Sequence, residues 1–345
     1  MDPILFVDHE PAARSGHLGH ALFQNANGEL FALYPNCTGD DLGGHSAVGW
    51  MEYKVSTDGG ETWSEVQPLE YSKRVFDEGK GRSIFSEKAV VTNSGAVLLF
   101  HLVCDISTDP VWQPYWEPLV SRSTDGGYTW SQPQQVGDER GRVYDARYID
   151  GVIYVLKFSN DATVDYCGAL PEHRYKLFVS LDDGLTFKER SILPFDTRGR
   201  CYGTLGVLPD GALVAYVYNA KDEHAQDCCI SRDGGLTWAT PRVVHMARRL
   251  RNPHMAELGG HYFLHGRSGS HGTEEEKGHF ILYHSLDGLN WDDGTYLVRR
   301  THGYGAYSNN TIVVDPSGRR RLRIHASHAY QNNQTNVVAW WVDVP

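Results

Sequence analysis

Short apolar runs recur in pairs along the chain, and a turn rich in Gly, Asp, Asn or Pro separates the two runs of most pairs. Each run is three to five residues long and is dominated by aliphatic and aromatic side chains. This pattern predicts short β-strands joined as hairpins. The pairs are 20–23 with 30–34, 89–91 with 97–100, 146–149 with 152–156, 205–208 with 213–216, 255–258 with 262–264, and 311–314 with 322–324.

A motif of the form S-x-D-x-G-x-T-W follows most of these pairs. Four copies cover 56–63, 123–130, 180–187 and 231–238, and a fifth copy at 285–291 is one residue shorter. Asp can accept hydrogen bonds from backbone amides in a tight turn, and Gly can adopt the positive φ that such a turn needs. The aromatic residue can pack between neighbouring sheets. We therefore expect each copy to be the hairpin between the third and fourth strands of a sheet.

The spacing of roughly 50 to 67 residues between copies indicates a repeat architecture. The sixth pair lacks the motif, but the apolar tail at 337–342 can supply its third strand and residues 4–7 its fourth. Such pairing of the chain ends would close the ring and remove an exposed edge. The sequence thus predicts an all-β fold, a six-bladed β-propeller of four-stranded antiparallel blades, as a single domain over residues 1–345.

The repeated motif resembles the Asp-box, or BNR repeat, of the sialidase superfamily, and the copies extend over almost the whole chain. The resemblance implies a carbohydrate-active enzyme whose boxes are structural and carry no chemistry. The formal net charge of −11 argues against nucleic acid and anionic membranes as partners, since both attract basic proteins. We expect an oligosaccharide or polysaccharide substrate instead.

Other features of the sequence exclude several classes of protein. No apolar stretch is long enough to span a bilayer, and no secretory signal is recognisable, so we expect a cytoplasmic protein, or a secreted or periplasmic one if a signal peptide has been removed. The six cysteines follow no metal-binding spacing, and we expect buried thiols rather than disulfides. No ligand set spaced like His-Glu-x-x-His is present, so we expect neither a metal nor a cofactor.

The first strand of each blade lines the axis of a propeller, and the ends of these strands are rich in polar and aromatic residues here. Their convergence from six blades favours a ligand site on one face of the axis. The candidate catalytic residues are His20, Asp40, Asp41, Glu87, Tyr144, Asp145 and Tyr307. The candidate substrate-binding residues are His17, His45, Lys88, His101, Arg147, Arg200, Tyr202, His254, Arg267 and Tyr304.

The resemblance to sialidases implies roles for some of these residues. An Asp general acid lies in the first-blade loop of the family, where Asp40 and Asp41 stand here, and a Tyr nucleophile would correspond to Tyr307. Arg267 resembles one of the three Arg residues that bind the sialic acid carboxylate. The other two Arg positions and the Asn-Glu-Ser segment have no clear match. The resemblance therefore does not support sialic acid itself as the substrate.

Three functions remain open from the sequence. The first is a glycoside hydrolase that acts on an acidic or terminal sugar, with Asp40 or Asp41 as the acid. Its nucleophile or base would be Tyr307, Tyr304, Glu87 or Asp145. The second is a lyase that cleaves a uronate-containing polysaccharide by acid–base chemistry of His20, His101 and Tyr144. The third is a propeller that binds glycans without cleaving them. We expect the hydrolase.

Overall fold

Six four-stranded antiparallel sheets form the structure, a computed structural model that describes residues 2–38, 47–107, 116–159, 173–269, 272–273, 275–299, 307–331 and 334–344. The first strands of the six sheets contact one another in cyclic order, each touching the next and the sixth touching the first. Each sheet is therefore one blade of a ring. The predicted six-bladed β-propeller is confirmed.

The strands are numbered in chain order. The first three blades are β2 (Ala21–Gln24), β3 (Leu30–Cys37), β4 (Gly49–Ser56) and β5 (Gln67–Pro68); β6 (Arg82–Val91), β7 (Val97–Asp105), β8 (Leu119–Ser123) and β9 (Gln134–Gln135); and β10 (Gly141–Ile149), β11 (Val152–Ser159), β12 (Arg174–Ser180) and β13 (Lys188–Leu193). The last three are β14 (Arg200–Val207), β15 (Leu213–Asn219), β16 (Ala225–Ser231) and β17 (Arg242–His245); β18 (Arg251–Leu258), β19 (His261–Arg267), β20 (Phe280–Ser285) and β21 (Thr295–Val298); and β22 (Ser308–Val314), β23 (Arg320–Gln331) and β24 (Gln334–Val342) with β1 (Ile4–Val7).

The two ends of the chain close the ring, as expected. Strand β1 pairs with β24 in the sixth blade, and Ile4 lies opposite Ala339. Two bonds extend this closure beyond the strand, since the Gly16 amide donates to the Thr335 carbonyl at 2.8 Å and the His9 amide donates to Asn336 Oδ1 at 2.7 Å. The pairing covers the edge of β24, which would otherwise present unpaired backbone groups.

Each Asp-box is a turn held by its own side chains. In the first box, Asp58 Oδ1 accepts hydrogen bonds from the Ser56 hydroxyl at 2.7 Å and from the Thr62 amide at 2.9 Å. Gly60 has a φ of 94°, and a Cβ there would lie 2.6 Å from the Trp341 ring of the sixth blade. The bond from the Thr amide recurs at Asp125, Asp182 and Asp233. The motif therefore shapes the hairpins, as its residue types predict.

One helix was not predicted from the apolar pattern. Helix α1 (Glu70–Asp77) joins the first and second blades and is mostly polar. Its buried Ser72 hydroxyl accepts a hydrogen bond from the Met51 amide at 2.9 Å and donates to the Ile84 carbonyl at 2.6 Å. A single hydroxyl thus fixes the helix to strands β4 and β6. No helix in the described part of the chain is both long and apolar enough to span a membrane.

Four of the first strands carry a β-bulge near the end where they begin. The register shifts lie between Ser86 and Lys88, Val143 and Asp145, Cys201 and Gly203, and Arg251 and His254. A bulge places two residues opposite one and re-aims a side chain. The bulged residues at these positions are Glu87, Tyr144, Tyr202 and Asn252, and the last two have positive φ angles of 38° and 52°. The bulges therefore shape one end of the axis.

The cysteines depart from expectation at one position. Cys37, Cys104, Cys228 and Cys229 are buried thiols, as expected. Cys201, at the start of β14, is disulfide-bonded, so the expectation of thiols was wrong for this residue. Cys167 lies outside the described residues.

Candidate active site on the propeller axis

The bulged ends of the first strands surround a small, largely enclosed cavity of about 30 Å³ on the axis. Six of the residues that the sequence nominated line it together: His20, Glu87, Tyr144, Tyr202, His254 and Tyr307. Each of the six blades contributes one of them, from its first strand or from the residue just before it. Arg142 and Asn252 also line the cavity and were not nominated.

A larger cavity of about 780 Å³ opens where the first strands end, at the other end of the axis. Strand residues such as Val91, Ile149 and Val207 form much of its wall. The smaller cavity collects more groups that can bind or react with a substrate. We therefore place the candidate active site there, although its volume is far smaller.

A buried ion pair forms one wall of the site. Arg142 Nε lies 2.8 Å and 2.6 Å from the two carboxylate oxygens of Glu87, and both side chains are buried. Burial raises the pKa of Glu87, while the charge and hydrogen bonds of Arg142 oppose that rise. Because the guanidinium group is planar, it can hold the carboxylate in a fixed orientation. The pair joins the second and third blades.

Two tyrosines continue this network across the axis. Arg142 Nη1 donates to the Tyr202 hydroxyl oxygen at 2.8 Å, and the hydroxyl oxygens of Tyr202 and Tyr307 are 2.9 Å apart. The Tyr202 proton can therefore be donated to Tyr307. The centres of the Arg142 and Arg267 guanidinium groups lie 5.5 Å and 4.9 Å from the centroid of the Tyr307 ring. Two guanidinium groups therefore lie beside the Tyr307 ring.

His17 packs against the same tyrosine. Its ring meets the Tyr307 ring edge-on, with the centroids 4.8 Å apart, and it is buried. Burial, followed by the charge of Arg267, lowers the pKa of His17 to about 3. The imidazole is therefore neutral near pH 7 and adds no positive charge to the site.

A second ion pair lies deeper, between the two cavities. Lys88 Nζ is 3.0 Å from Asp145 Oδ1, and burial lowers the pKa of Lys88 to about 8 against the opposing effect of Asp145. Burial opposes ionisation of Asp145, but the charges of Arg147 and Lys88 outweigh it and lower the pKa of the carboxyl group. Asp145 Oδ2 also accepts from the Thr204 hydroxyl at 2.7 Å. These contacts engage both oxygens of Asp145 within the protein.

Comparison with known proteins identifies a repeat family and several solved structures that this chain resembles. The BNR/Asp-box repeat family matches residues 54–65. A Dyadobacter fermentans protein of unknown function has a similar structure, with 16% identity, a TM-score of 0.71, and coverage of 100% of this chain and 98% of that one. The K499G mutant of the NanB sialidase from Streptococcus pneumoniae is similar at 12% identity, a TM-score of 0.68, and coverage of 99% and 70%.

An arabinanase shares the architecture as well. The Penicillium chrysogenum α-L-arabinanase complexed with arabinobiose matches at 15% identity, a TM-score of 0.62, and coverage of 99% of this chain and 98% of that one. Among proteins of curated function, none matches this sequence. The chain therefore shares its six-bladed propeller fold with this sialidase and this arabinanase. The predicted resemblance is confirmed at the level of the fold and of the Asp-boxes.

Several nominated residues lie away from the axial cavity or outside the described residues. His101 is buried within the second blade, where its ring nitrogens lie 3.2 Å from Ser86 Oγ and 2.9 Å from Ser121 Oγ. Arg200 donates to Asp227 at 2.6 Å. The nominated residues that fall outside the described residues are Asp40, Asp41, His45 and Tyr304.

Arg142 and Asn252 were harder to find from the sequence. Arg142 stands at the start of an ordinary strand run, next to the nominated Tyr144, and that proximity was the one available signal. Asn252 stands among the polar residues at the start of a first strand, two positions before the nominated His254, but was not itself nominated. Among the described residues, no group of three or more His, Cys, Asp or Glu side chains is arranged to hold a metal ion.

Proposed function

We propose that the protein is a glycoside hydrolase that removes an acidic or terminal sugar from an oligosaccharide or polysaccharide. The hydrogen-bonded pair of Tyr202 and Tyr307 carries this proposal, because it lies on the axis beside two guanidinium groups. Solved structures with the same fold include sialidases and an arabinanase, whose names describe action on carbohydrates. The structural similarity to these proteins supports a reaction on carbohydrates, and the axial cavity supports the roles proposed below for individual residues.

Tyr307 is the proposed nucleophile. Arg142 donates to the Tyr202 oxygen, which leaves the Tyr202 proton to stabilise negative charge on the Tyr307 oxygen. Glu87 holds Arg142 in place and completes a chain of polar contacts from the second blade to the sixth. An Asp of the first-blade loop, Asp40 or Asp41, is proposed to protonate the leaving group.

The positive groups around Tyr307 favour an acidic sugar. Arg142 and Arg267 flank the ring, and Glu87 already neutralises the first of them. Arg267, beside the Tyr307 ring, is the proposed contact for a substrate carboxylate, since guanidinium groups bind carboxylates with two parallel hydrogen bonds. The lyase alternative named His20, His101 and Tyr144, and His101 lies between two serine hydroxyls inside the second blade. We do not extend this alternative, because His101 is absent from the cavity that His20 and Tyr144 line.

The test is hydrolysis of a panel of fluorogenic glycosides that includes uronic and sialic acids, together with arabinosides. The Tyr307→Phe variant is expected to lose turnover by on the order of 10³-fold or more while it keeps the fold. Tyr128→Phe, on an exposed Asp-box, is the matched control and is expected to keep full activity. Binding of a glycoside without any hydrolysis would instead support the glycan-binding alternative. Release of unsaturated uronate from a polysaccharide would overturn the hydrolase.

A further inference from the structure

Asn252 is held in an unusual way at the base of the axial cavity. It lies in the bulge of β18, has a φ of 52°, and is almost fully buried. Neither its Oδ1 nor its Nδ2 atom has a hydrogen-bond partner among the described residues. Non-glycine residues at positive φ are strained, and buried amides are almost always hydrogen-bonded. Two unfavourable features therefore coincide at one residue that lines the cavity.

His254, on the same strand, has a further buried polar atom without a hydrogen-bond partner among the described residues. This atom is Nδ1, and the ring of His254 stacks on that of His265 with the centroids 5.7 Å apart. Burial and the charge of Lys88 lower the pKa of His254 well below its ordinary value, so the ring is neutral. The fifth blade thus contributes neutral donors and acceptors, whereas the opposite wall consists of the charged pair Glu87–Arg142.

The size of the cavity decides what can enter it. A water molecule occupies about 10–15 Å³ of this kind of volume, so about 30 Å³ has room for one or two atoms of that size but not for a sugar ring. A hydroxyl group both donates and accepts hydrogen bonds, as a carboxamide does. A hydroxyl or hydroxymethyl group would therefore fit the volume of the cavity and could pair with the unpaired amide atoms of Asn252.

We infer that Asn252 and His254 form a recognition pocket for one hydroxyl-bearing substituent of the sugar, which projects down the propeller axis. This inference rests on the proposed function for the identity of the ligand as a sugar. The ring itself then lies above the cavity, with its reacting carbon near Tyr307. The inference accounts for the strain at Asn252, because the bulge places this residue in the lining of the cavity.

The experiment compares Asn252→Gly with Asp150→Gly. Both replace a non-glycine residue at positive φ, and Asp150 lies in the hairpin between β10 and β11, outside the axial cavity. Glycine relieves the backbone strain at either position, so both variants are expected to melt at or above the temperature of the parent protein. A lower melting temperature of Asn252→Gly alone would show that the carboxamide is structural and would overturn the inference.

Binding is then measured by saturation-transfer NMR with methyl glycosides of hexoses, pentoses and hexuronic acids and with their monodeoxy analogues. The parent protein and Asp150→Gly are expected to bind one glycoside at least tenfold more tightly than one of its monodeoxy analogues. Asn252→Gly is expected to lose that difference. Unchanged discrimination in Asn252→Gly, or binding of no glycoside by the parent, would overturn the inference. Discrimination without hydrolysis of any glycoside would leave it standing and would count against the hydrolase alone.

Discussion

Lys88 and Asp145 form a buried ion pair, with Nζ and Oδ1 3.0 Å apart, that joins the second and third blades at the middle of the axis. Two further blades reach the same pair. Asn309 Oδ1 of the sixth blade accepts from Lys88 at 2.7 Å, and Thr204 of the fourth blade donates to Asp145. Four of the six blades are therefore linked through two side chains. We interpret this pair as a structural element that fixes the first strands and thereby the cavity above it.

Asp145→Asn is expected to destabilise the protein strongly. Removing one partner leaves the Lys88 charge buried without its counter-ion, which costs about 3–5 kcal/mol in other proteins. Urea denaturation followed by tryptophan fluorescence measures the change. Asp196→Asn, in an exposed pair with Arg198, is the control and is expected to have no measurable effect. Equal stability of Asp145→Asn and the parent protein would show that the pair does not stabilise the ring.

The buried histidines predict a dependence of stability on pH. Burial lowers the pKa of five of them to between about 3 and about 4: His9, His17, His20, His101 and His265. The unfolded chain takes up these protons below about pH 6.5, and the folded chain does not. The free energy of unfolding is therefore highest above pH 6.5 and falls as the pH decreases towards 4, by up to about 1.4 kcal/mol per histidine per pH unit.

His101→Gln removes the contribution of one histidine to this dependence of unfolding free energy on pH. The glutamine amide can still contact Ser86 and Ser121, but it cannot take up a proton when the chain unfolds. The slope of unfolding free energy against pH between 6 and 4 is expected to fall by about one proton. Urea denaturation at pH 4, 5, 6 and 7 supplies the slopes. The same slope in parent and variant would mean that His101 titrates alike in both states.

The six-bladed architecture was predictable because the repeated motif and the paired apolar runs each indicate it independently. The Asp-box fixes a turn from local contacts alone, as the bonds of Asp58 with Ser56 and Thr62 show. The paired apolar runs predict the hairpins. The apolar segment at 4–7 belongs to no hairpin, and the sixth blade needed a fourth strand, so the two could be paired. Helix α1 was missed because its attachment depends on one buried hydroxyl, Ser72, rather than on an apolar face.

The sequence predicted where the candidate site lies better than it predicted which side chains contact one another there. The ends of the first strands could be aligned from the hairpins, and this alignment brought Glu87, Tyr202 and Tyr307 together. Which side chain enters the cavity depends on the β-bulges, and a bulge shifts the alternation of a strand without a clear signal in the residue types. For this reason the residue types alone did not show that Asn252 lines the cavity.

Asp125→Ala tests the structural role of the Asp-boxes. Burial opposes ionisation of Asp125, but hydrogen bonds from the Thr129 hydroxyl and amide, together with others in the box, outweigh it and lower the pKa to about 2. The variant is expected to lose about 1 kcal/mol of stability at pH 7, since the carboxylate is exposed and screened. Turnover per folded molecule is expected to stay unchanged.

The pH dependence of this loss has a definite sign. The folded pKa of Asp125 is below the unfolded value of about 3.8, so the contribution is present above pH 4 and is lost as the pH falls towards 2. Melting curves of parent and variant are expected to differ at pH 7 and to converge near pH 2. Selective loss of turnover at an unchanged melting temperature would contradict a structural role for the box.

Arg267→Met tests the charge preference of the site. The guanidinium group lies 4.9 Å from the centroid of the Tyr307 ring and is the proposed contact for a substrate carboxylate. A lost charge-assisted hydrogen bond typically costs about 1.5–3 kcal/mol, so kcat/KM for an acidic glycoside is expected to fall by about 10- to 100-fold, mainly through KM. A neutral glycoside with the same leaving group is expected to keep its kcat/KM. Equal losses for both substrates would show instead that Arg267 positions Tyr307 and makes no contact with the anion.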